Sequence, residues 1–155
     1  MEIAMSQSIF ISGSAQGIGA AIARLFYQQG YKVGIYDINV DQAQILADQL
    51  GPHAKAGKLD VSQYDQWQVA LDEFVEWAGE LNILVNNAGI GIHKSFAETT
   101  EEEFDNLLNI QFKGPFFLTQ KLLSVLKDGG SIINISTGLA RFSLPGYAAY
   151  ASMKG

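Results

Sequence analysis

The sequence has no cysteine and only three prolines in 155 residues. Without thiols there is no disulfide, no thiolate metal ligand and no cysteine nucleophile, a usage that suits a reducing cytoplasm. Basic residues are also scarce. Ten Lys and Arg stand against sixteen Asp and Glu, for a net charge of -6 and a pI of about 4.7. Nucleic-acid binders carry a basic face, so this balance argues against such a partner. Long apolar runs are missing too: none approaches the roughly 20 residues of a membrane helix. Residues 1–7 lack the basic start and apolar core of a signal peptide. The expectation is a soluble cytoplasmic protein with neither nucleic acid nor membrane as partner. What the chain does have is 48% hydrophobic residues and sixteen glycines, over a length that suits one domain.

One group of those glycines organises the rest. Ser12-Gly13-Ser14-Ala15-Gln16-Gly17-Ile18-Gly19 follows an apolar run, residues 8–11, that reads as a short buried strand. It leads into Ala20-Ala21-Ile22-Ala23-Arg24-Leu25-Phe26, which has a helical pattern. Glycines there let the backbone turn sharply and approach a bound group. The free N–H groups of the helix start then favour an anion, with a pyrophosphate as the usual guest. Ordinary strand-to-helix turns use glycine as well, so the turn needs support from elsewhere in the chain.

Strand and helix alternate along the sequence. The first helix has a stripe of Ile18, Ala21, Ile22, Leu25 and Phe26, and Gly30 stops it. Residues 31–36 read as a second strand ending at Asp37, and residues 40–50 as a second helix through Ala43, Leu46, Ala47 and Leu50. A weak third strand, residues 54–59, is closed by Asp60-Val61-Ser62, with Ser62 expected to cap the next helix. That helix shows Trp67, Ala70, Leu71, Phe74, Val75 and Ala78 on one face. Residues 81–85 are a short, largely apolar fourth strand, as in a parallel sheet covered on both faces. A long helical stretch spans residues 100–126, opened by a capping box of Thr99 or Thr100 with Glu102 or Glu103 and kinked by Pro115. Residues 131–135 form a fifth strand after Gly129-Gly130. A loop then leads to the first turn of another helix. The alternation predicts an α/β fold with a doubly wound parallel sheet, about five strands with helices on both faces, in a single domain.

Asp37 stands where a strand-end acid in a dinucleotide-binding fold accepts hydrogen bonds from the adenosine ribose and repels a 2′-phosphate. No Lys or Arg lies in residues 14–19 or 38–41 to offset that repulsion, so NAD is expected over NADP. The spacing Gly13-x-x-x-Gly17-x-Gly19 has one more residue between its first two glycines than the commonest dinucleotide fingerprint. Together with Asn86-Asn87-Ala88-Gly89 and Tyr150-Ala151-Ser152-Met153-Lys154, it closely resembles the short-chain dehydrogenase/reductase family. The resemblance covers essentially the whole chain, with the motifs in family order. It implies a Rossmann-like fold whose cofactor lies on Gly13, Ser14, Gln16, Gly17, Ile18, Gly19, Asp37, Asp60, Val61, Asn87, Ala88, Gly89, Tyr150 and Lys154. Asp60 and Val61 would flank the adenine, and Asn87 would also tie the central strands together.

Tyr150 and Lys154 are four apart and so share one helix face. An ordinary phenol holds its proton until about pH 10, and a neighbouring ammonium favours the phenolate. The resemblance makes Tyr150 the general acid of a carbonyl reduction and the general base of an alcohol oxidation. Tyr147 competes for that role but has no lysine four residues on. Two positions depart from the family pattern. The serine that binds the substrate oxygen is replaced by Thr137, which still offers a hydroxyl, with Ser136 pointing the other way along the strand. The catalytic asparagine falls on Gln111 rather than Asn109, an amide one methylene longer.

His53 and His93 lack the acid or histidine neighbours of a metal site and read as loop residues, so no metal is expected. Arg141 and Phe142 read as solvated loop residues near the substrate side, Trp67 as core and Trp77 as helix surface. Family members usually continue well past the lysine, whereas Lys154 is followed here by one residue. The expectation is therefore a chain truncated after the Tyr-x-x-x-Lys motif, with the C-terminal strands missing, an exposed fifth strand and the usual family dimer impaired. Three readings follow: an NAD-dependent oxidoreductase acting on a small alcohol or ketone, a truncated NAD-binding module without turnover, and a nucleotide-fold methyltransferase, which leaves Tyr150 with Lys154 unexplained.

Overall fold

Among the described residues, five segments pair side by side: β1 (Ser8–Ser12), β2 (Lys32–Asp37), β3 (Ala54–Lys58), β4 (Leu81–Asn86) and β5 (Leu126–Asn134). The structure, a computed structural model, describes residues 7–155, and residues 1–6, on which the leader expectation rests, lie outside them. The sheet order is β3-β2-β1-β4-β5, and every pairing is parallel. The inner strands β1, β2 and β4 are covered on both faces and read as largely apolar runs, whereas the edge strand β5 is exposed along most of its length. In the central strand β1 all five residues are buried.

The described residues form six helices: α1 (Gly17–Gln28), α2 (Val40–Leu50), α3 (Tyr64–Ala78), α4 (Glu101–Leu108), α5 (Gly114–Leu122) and α6 (Ala148–Lys154). Alternating side chains of β1 feed two cores. Phe10 joins Tyr36, Trp67, Phe74, Leu84 and Leu118 on the side of α3 and α5. Ile9 and Ile11 join Val33, Ile35, Ala43 and Leu46 on the side of α1 and α2. The result is a doubly wound, Rossmann-like sheet. Its strand order reverses between β1 and β4, and ligands of such sheets bind in the crevice beyond the carboxyl ends of those strands. Among the described residues, no helix is long and apolar enough to cross a membrane.

Four local expectations are corrected. The buried residues of α1 are Gly19 and Ala23, while Ile18 and Leu25 are 63% and 53% exposed. The helix start lies so close to the turn that a Cβ on Gly19 would sit 2.5 Å from the Gly13 carbonyl oxygen. Small residues therefore take the contact face, and Ile22 and Phe26 pack at its flank. Ser62 does not cap α3, which starts one residue after Gln63. Its N–H and hydroxyl both donate to Asp60 Oδ1 at 2.9 and 2.6 Å, because the aspartate offers a competing local turn. The long helix divides into α4 and α5, joined by a wide turn at Asn109–Lys113, and ends at Leu122. The backbone is right-handed helical at Leu108, Lys113 and Gly114, so the widened turn lies on one continuous helical path, in the residues just before Pro115, which offers no N–H to the preceding turn. Finally, β5 begins at Leu126 rather than 131, with a register shift against β4 between Leu81 and Ile83, and Gly129, at φ 82°, lies between the two paired stretches. The capping box forms on Thr100 and Glu103.

Tyr36 is fully buried, stacked on Phe10 with ring centroids 4.2 Å apart. Its hydroxyl has no partner among the described residues, and burial pushes the phenol's pKa up. Tyr36→Phe removes a buried donor that makes no bond. It is expected to raise stability by about 1 kcal/mol, read as a Tm rise of roughly 2–4 °C.

Candidate active site

The turn after β1 is held from three sides. Gly13 and Ser14 N–H both donate to the Tyr36 carbonyl at the end of β2, at 2.8 and 3.3 Å. The Ser14 hydroxyl turns inward onto Ile11 O at 2.8 Å. Asn87, just past β4, donates through Nδ2 to Ser12 O and Gly13 O at 3.1 and 2.7 Å. This amide bridges the ends of β1 and β4, the two strands flanking the crevice. A Cβ on Gly13 would lie 2.6 Å from Ala88 Cα, so only a glycine at that position lets the two segments come so close.

Gly17 differs. It has φ 59°, and a Cβ there would meet nothing within 4 Å. The turn is thus packed tightly at Gly13 and Gly19 and open at Gly17. No side chain caps α1, and its N-cap Gln16 is extended and exposed. The contrast with α4, closed by a full capping box, leaves the first N–H groups of α1 directed at the open side.

Asp37 ends β2 beside this turn and is 9% exposed. Its Oδ2 accepts from Ala15 N–H at 2.9 Å and its Oδ1 from Asn39 N–H at 3.0 Å. A carboxylate has about four acceptor positions, so capacity remains for another donor pair. Asp60 and Val61 stand at the next strand end. Gln66 accepts from Asp60 N–H at 2.9 Å and Trp67 Nε1 donates to Val61 O at 3.0 Å, which clips this corner onto α3. An anion site at a helix start with a buried acid at the neighbouring strand end fits a dinucleotide's pyrophosphate and ribose.

The far end of the crevice gathers around Gly89. A Cβ there would lie 3.1 Å from Gln111 Oε1 and 3.3 Å from Lys154 Nζ, so both side chains converge on one backbone position. Gln111 is buried in the wide turn between α4 and α5, and its Oε1 accepts from Ile90 N–H at 2.9 Å. Lys154 Nζ donates to Ile135 O at 3.0 Å, and burial lowers the lysine's pKa from its ordinary value. Tyr150 is half-buried on α6, one turn before Lys154. Thr137 opens a short 3-10 turn, and its Oγ1 accepts from Leu139 N–H at 3.4 Å. Ser136 is spent elsewhere, its hydroxyl donating to Lys154 O at 2.7 Å.

Several features escape sequence reading. Asn86 Nδ2 donates to Thr119 Oγ1 and Asn134 Oδ1 at 2.9 and 2.8 Å, tying β4 to α5 and β5 behind Lys154. Asn86 Oδ1 and Gln111 Nε2 are buried without partners among the described residues, and Asn86, Gln111 and Lys154 border one cavity of about 530 Å³. Tyr147 packs against His93, with ring centroids 4.9 Å apart. Arg141 and Phe142 are exposed. No group of three or more potential metal ligands occurs among the described residues.

The family model for short chain dehydrogenase matches residues 7–155. An uncharacterized oxidoreductase of Mycobacterium bovis is 31% identical over 153 residues, 96% of this chain and 62% of that protein. A galactitol 2-dehydrogenase of Agrobacterium fabrum is 37% identical over 134 residues, 84% of this chain and 52% of its own. The solved structure of a 3-ketoacyl-(acyl-carrier-protein) reductase from Brucella melitensis, complexed with NADH, matches with a TM-score of 0.92 at 30% identity, over 96% of this chain and 64% of that one. The chain thus spans less than two thirds of the length of these proteins. With its parallel sheet, its glycine turn and its Tyr-x-x-x-Lys helix, the chain belongs to the short chain dehydrogenase family.

Proposed function

We propose that this chain carries the cofactor cradle and proton-transfer group of an NAD-dependent oxidoreductase that interconverts a small-molecule alcohol and a carbonyl. The observation that carries the reading is the pairing of two ends in one crevice. An uncapped helix start beside Asp37 lies at one end, and Lys154 and Gln111 converge on Gly89 at the other. The NADH in the Brucella reductase supports a nicotinamide cofactor for this chain. The choice of NAD over NADP rests on Asp37, since a 2′-phosphate beside a buried carboxylate meets like charge with no cation in residues 38–41 to offset it.

When bound, the cofactor supplies or accepts the hydride. Everything else falls to the chain's own side chains. The Thr137 hydroxyl already accepts one N–H, so its hydrogen is free to donate to the substrate oxygen. Tyr150 delivers the proton to that oxygen in reduction and removes it in oxidation. Lys154 keeps N–H donors beyond its bond to Ile135 O and supports the phenolate as a cation. Because burial lowers its pKa, that cation is lost at a lower pH than from an exposed lysine, and turnover falls as pH rises through that point. Gln111 holds the loop after Gly89 through Ile90 N–H and so keeps that backbone position beside Lys154.

The reading is tested by mixing the chain with NADH and a panel of ketones and aldehydes while following NADH absorbance. Substrate-dependent oxidation supports it. NADH binding without turnover across the panel would reduce the chain to a binding module.

A further inference from the structure

The loop after β4 and the turn before α6 meet at one point. Lys94 N–H donates to Gly146 O at 2.8 Å. The ring of His93 lies directly over Gly146, where a Cβ would come 2.4 Å from His93 Nε2. Gly146 also has φ 85°, a conformation that disfavours any side chain. The same imidazole packs on Tyr147 with ring centroids 4.9 Å apart, and Tyr147 meets Tyr150 edge-to-face at 6.1 Å. On its other side the loop is fastened to α4. Lys94 Nζ pairs with Glu103 Oε1 at 2.7 Å, and Glu103 is also the acid of the capping box with Thr100. A continuous run of contacts therefore leads from the start of α4 through Lys94 and His93 to the turn that carries Tyr150.

We propose that His93 is a positioning residue, whose ring, seated on Gly146 and Tyr147, fixes the turn from which Tyr150 projects. The proposal rests on the reading of Tyr150 as the proton carrier. Its physical basis is that α6 cannot hold itself. The helix has seven residues, and its N-cap Tyr147 makes no side-chain cap bond. So short a helix is not stable in water on its own, and contacts at its entry decide where its first turn lies. Misplacing a proton donor by about 1 Å costs up to about a hundredfold in rate. The ring, not the imidazole's chemistry, does this: both described contacts of His93 are with its face and edge.

The test uses the full chain carrying His93→Ala, His93→Phe and Gly146→Ala, with two readouts. Amide hydrogen exchange over residues 147–154 needs no substrate. Turnover and NADH affinity are measured alongside it. In His93→Ala, exchange over that segment is expected to quicken about tenfold and kcat to fall about tenfold, with NADH affinity held within about twofold. His93→Phe restores both to near the parent values. Gly146→Ala, which pushes the ring off its seat, gives the same exchange signature, and adding His93→Ala to it changes little more, as expected of coupled neighbours. Unchanged exchange in His93→Ala overturns the proposal. So does a His93→Phe that exchanges like the parent but turns over as slowly as His93→Ala, since that places the imidazole on the substrate itself. Should exchange respond as expected in a chain that reduces no carbonyl, the positioning role stands and only the oxidoreductase reading fails.

Discussion

Gly19→Val is expected to abolish dinucleotide binding. The Cβ alone would lie 2.5 Å from the Gly13 carbonyl oxygen, 2.6 Å from Asn87 Nδ2 and 2.7 Å from Ser14 Cα. Two of those neighbours are backbone, and the third is the amide that bridges β1 and β4. Overpacking at such a site costs about 1–3 kcal/mol, and each displaced Asn87 bond adds about 1 kcal/mol. The expected loss in affinity is therefore about a thousandfold, measured by NADH fluorescence titration with circular dichroism to follow the fold. Leu25→Ala, on the exposed face of α1 and away from the turn, is the control and is expected to leave affinity within about twofold. Retained affinity in Gly19→Val would show that the turn is an ordinary bend.

Tyr150→Phe separates chemistry from binding. The substitution removes one oxygen, and the described contact of the Tyr150 ring is with the ring of Tyr147. Proton transfer by a positioned group contributes about 10²–10⁴ in rate, so kcat is expected to fall about a thousandfold with NADH affinity nearly unchanged. Tyr147→Phe keeps its ring on His93 and is expected to stay within about threefold of the parent rate. Steady-state rates of the two variants decide between the tyrosines. Equal losses would contradict the assignment of Tyr150.

Most of the fold was legible because it rests on local patterning. The apolar central strands β1 and β2, the stripe of Trp67, Ala70, Leu71 and Phe74, and the Thr100–Glu103 capping box all follow from residues close in sequence. The face of α1 was not legible for the opposite reason. Its contact is set by how near the turn approaches, a tertiary distance that favours Gly19 and Ala23 over the larger Ile18 and Leu25. Ser62 fails as a cap for a local reason, since its hydroxyl is claimed by Asp60 two residues earlier. In the site, the glycine turn and Asp37 carry a spacing signature, and Tyr150 with Lys154 carry a helical one. His93 carries neither. Its partners Gly146 and Tyr147 lie more than fifty residues along the chain, so a histidine in a loop gives no sign of what it touches. Gln111 was placed by alignment alone, while its bond to Ile90 and its closeness to Lys154 depend on the wide turn that buries it.

The most direct test is a paired titration of the chain with NADH and NADPH. Asp37, buried and already holding two backbone N–H groups, is a fixed negative charge beside the open side of the glycine turn. NADH is expected to bind at least about tenfold more tightly than NADPH, and Asp37→Ser is expected to erase most of that preference. NADPH binding as tightly as NADH, or no saturable binding of either, would contradict the cradle on which the whole account depends.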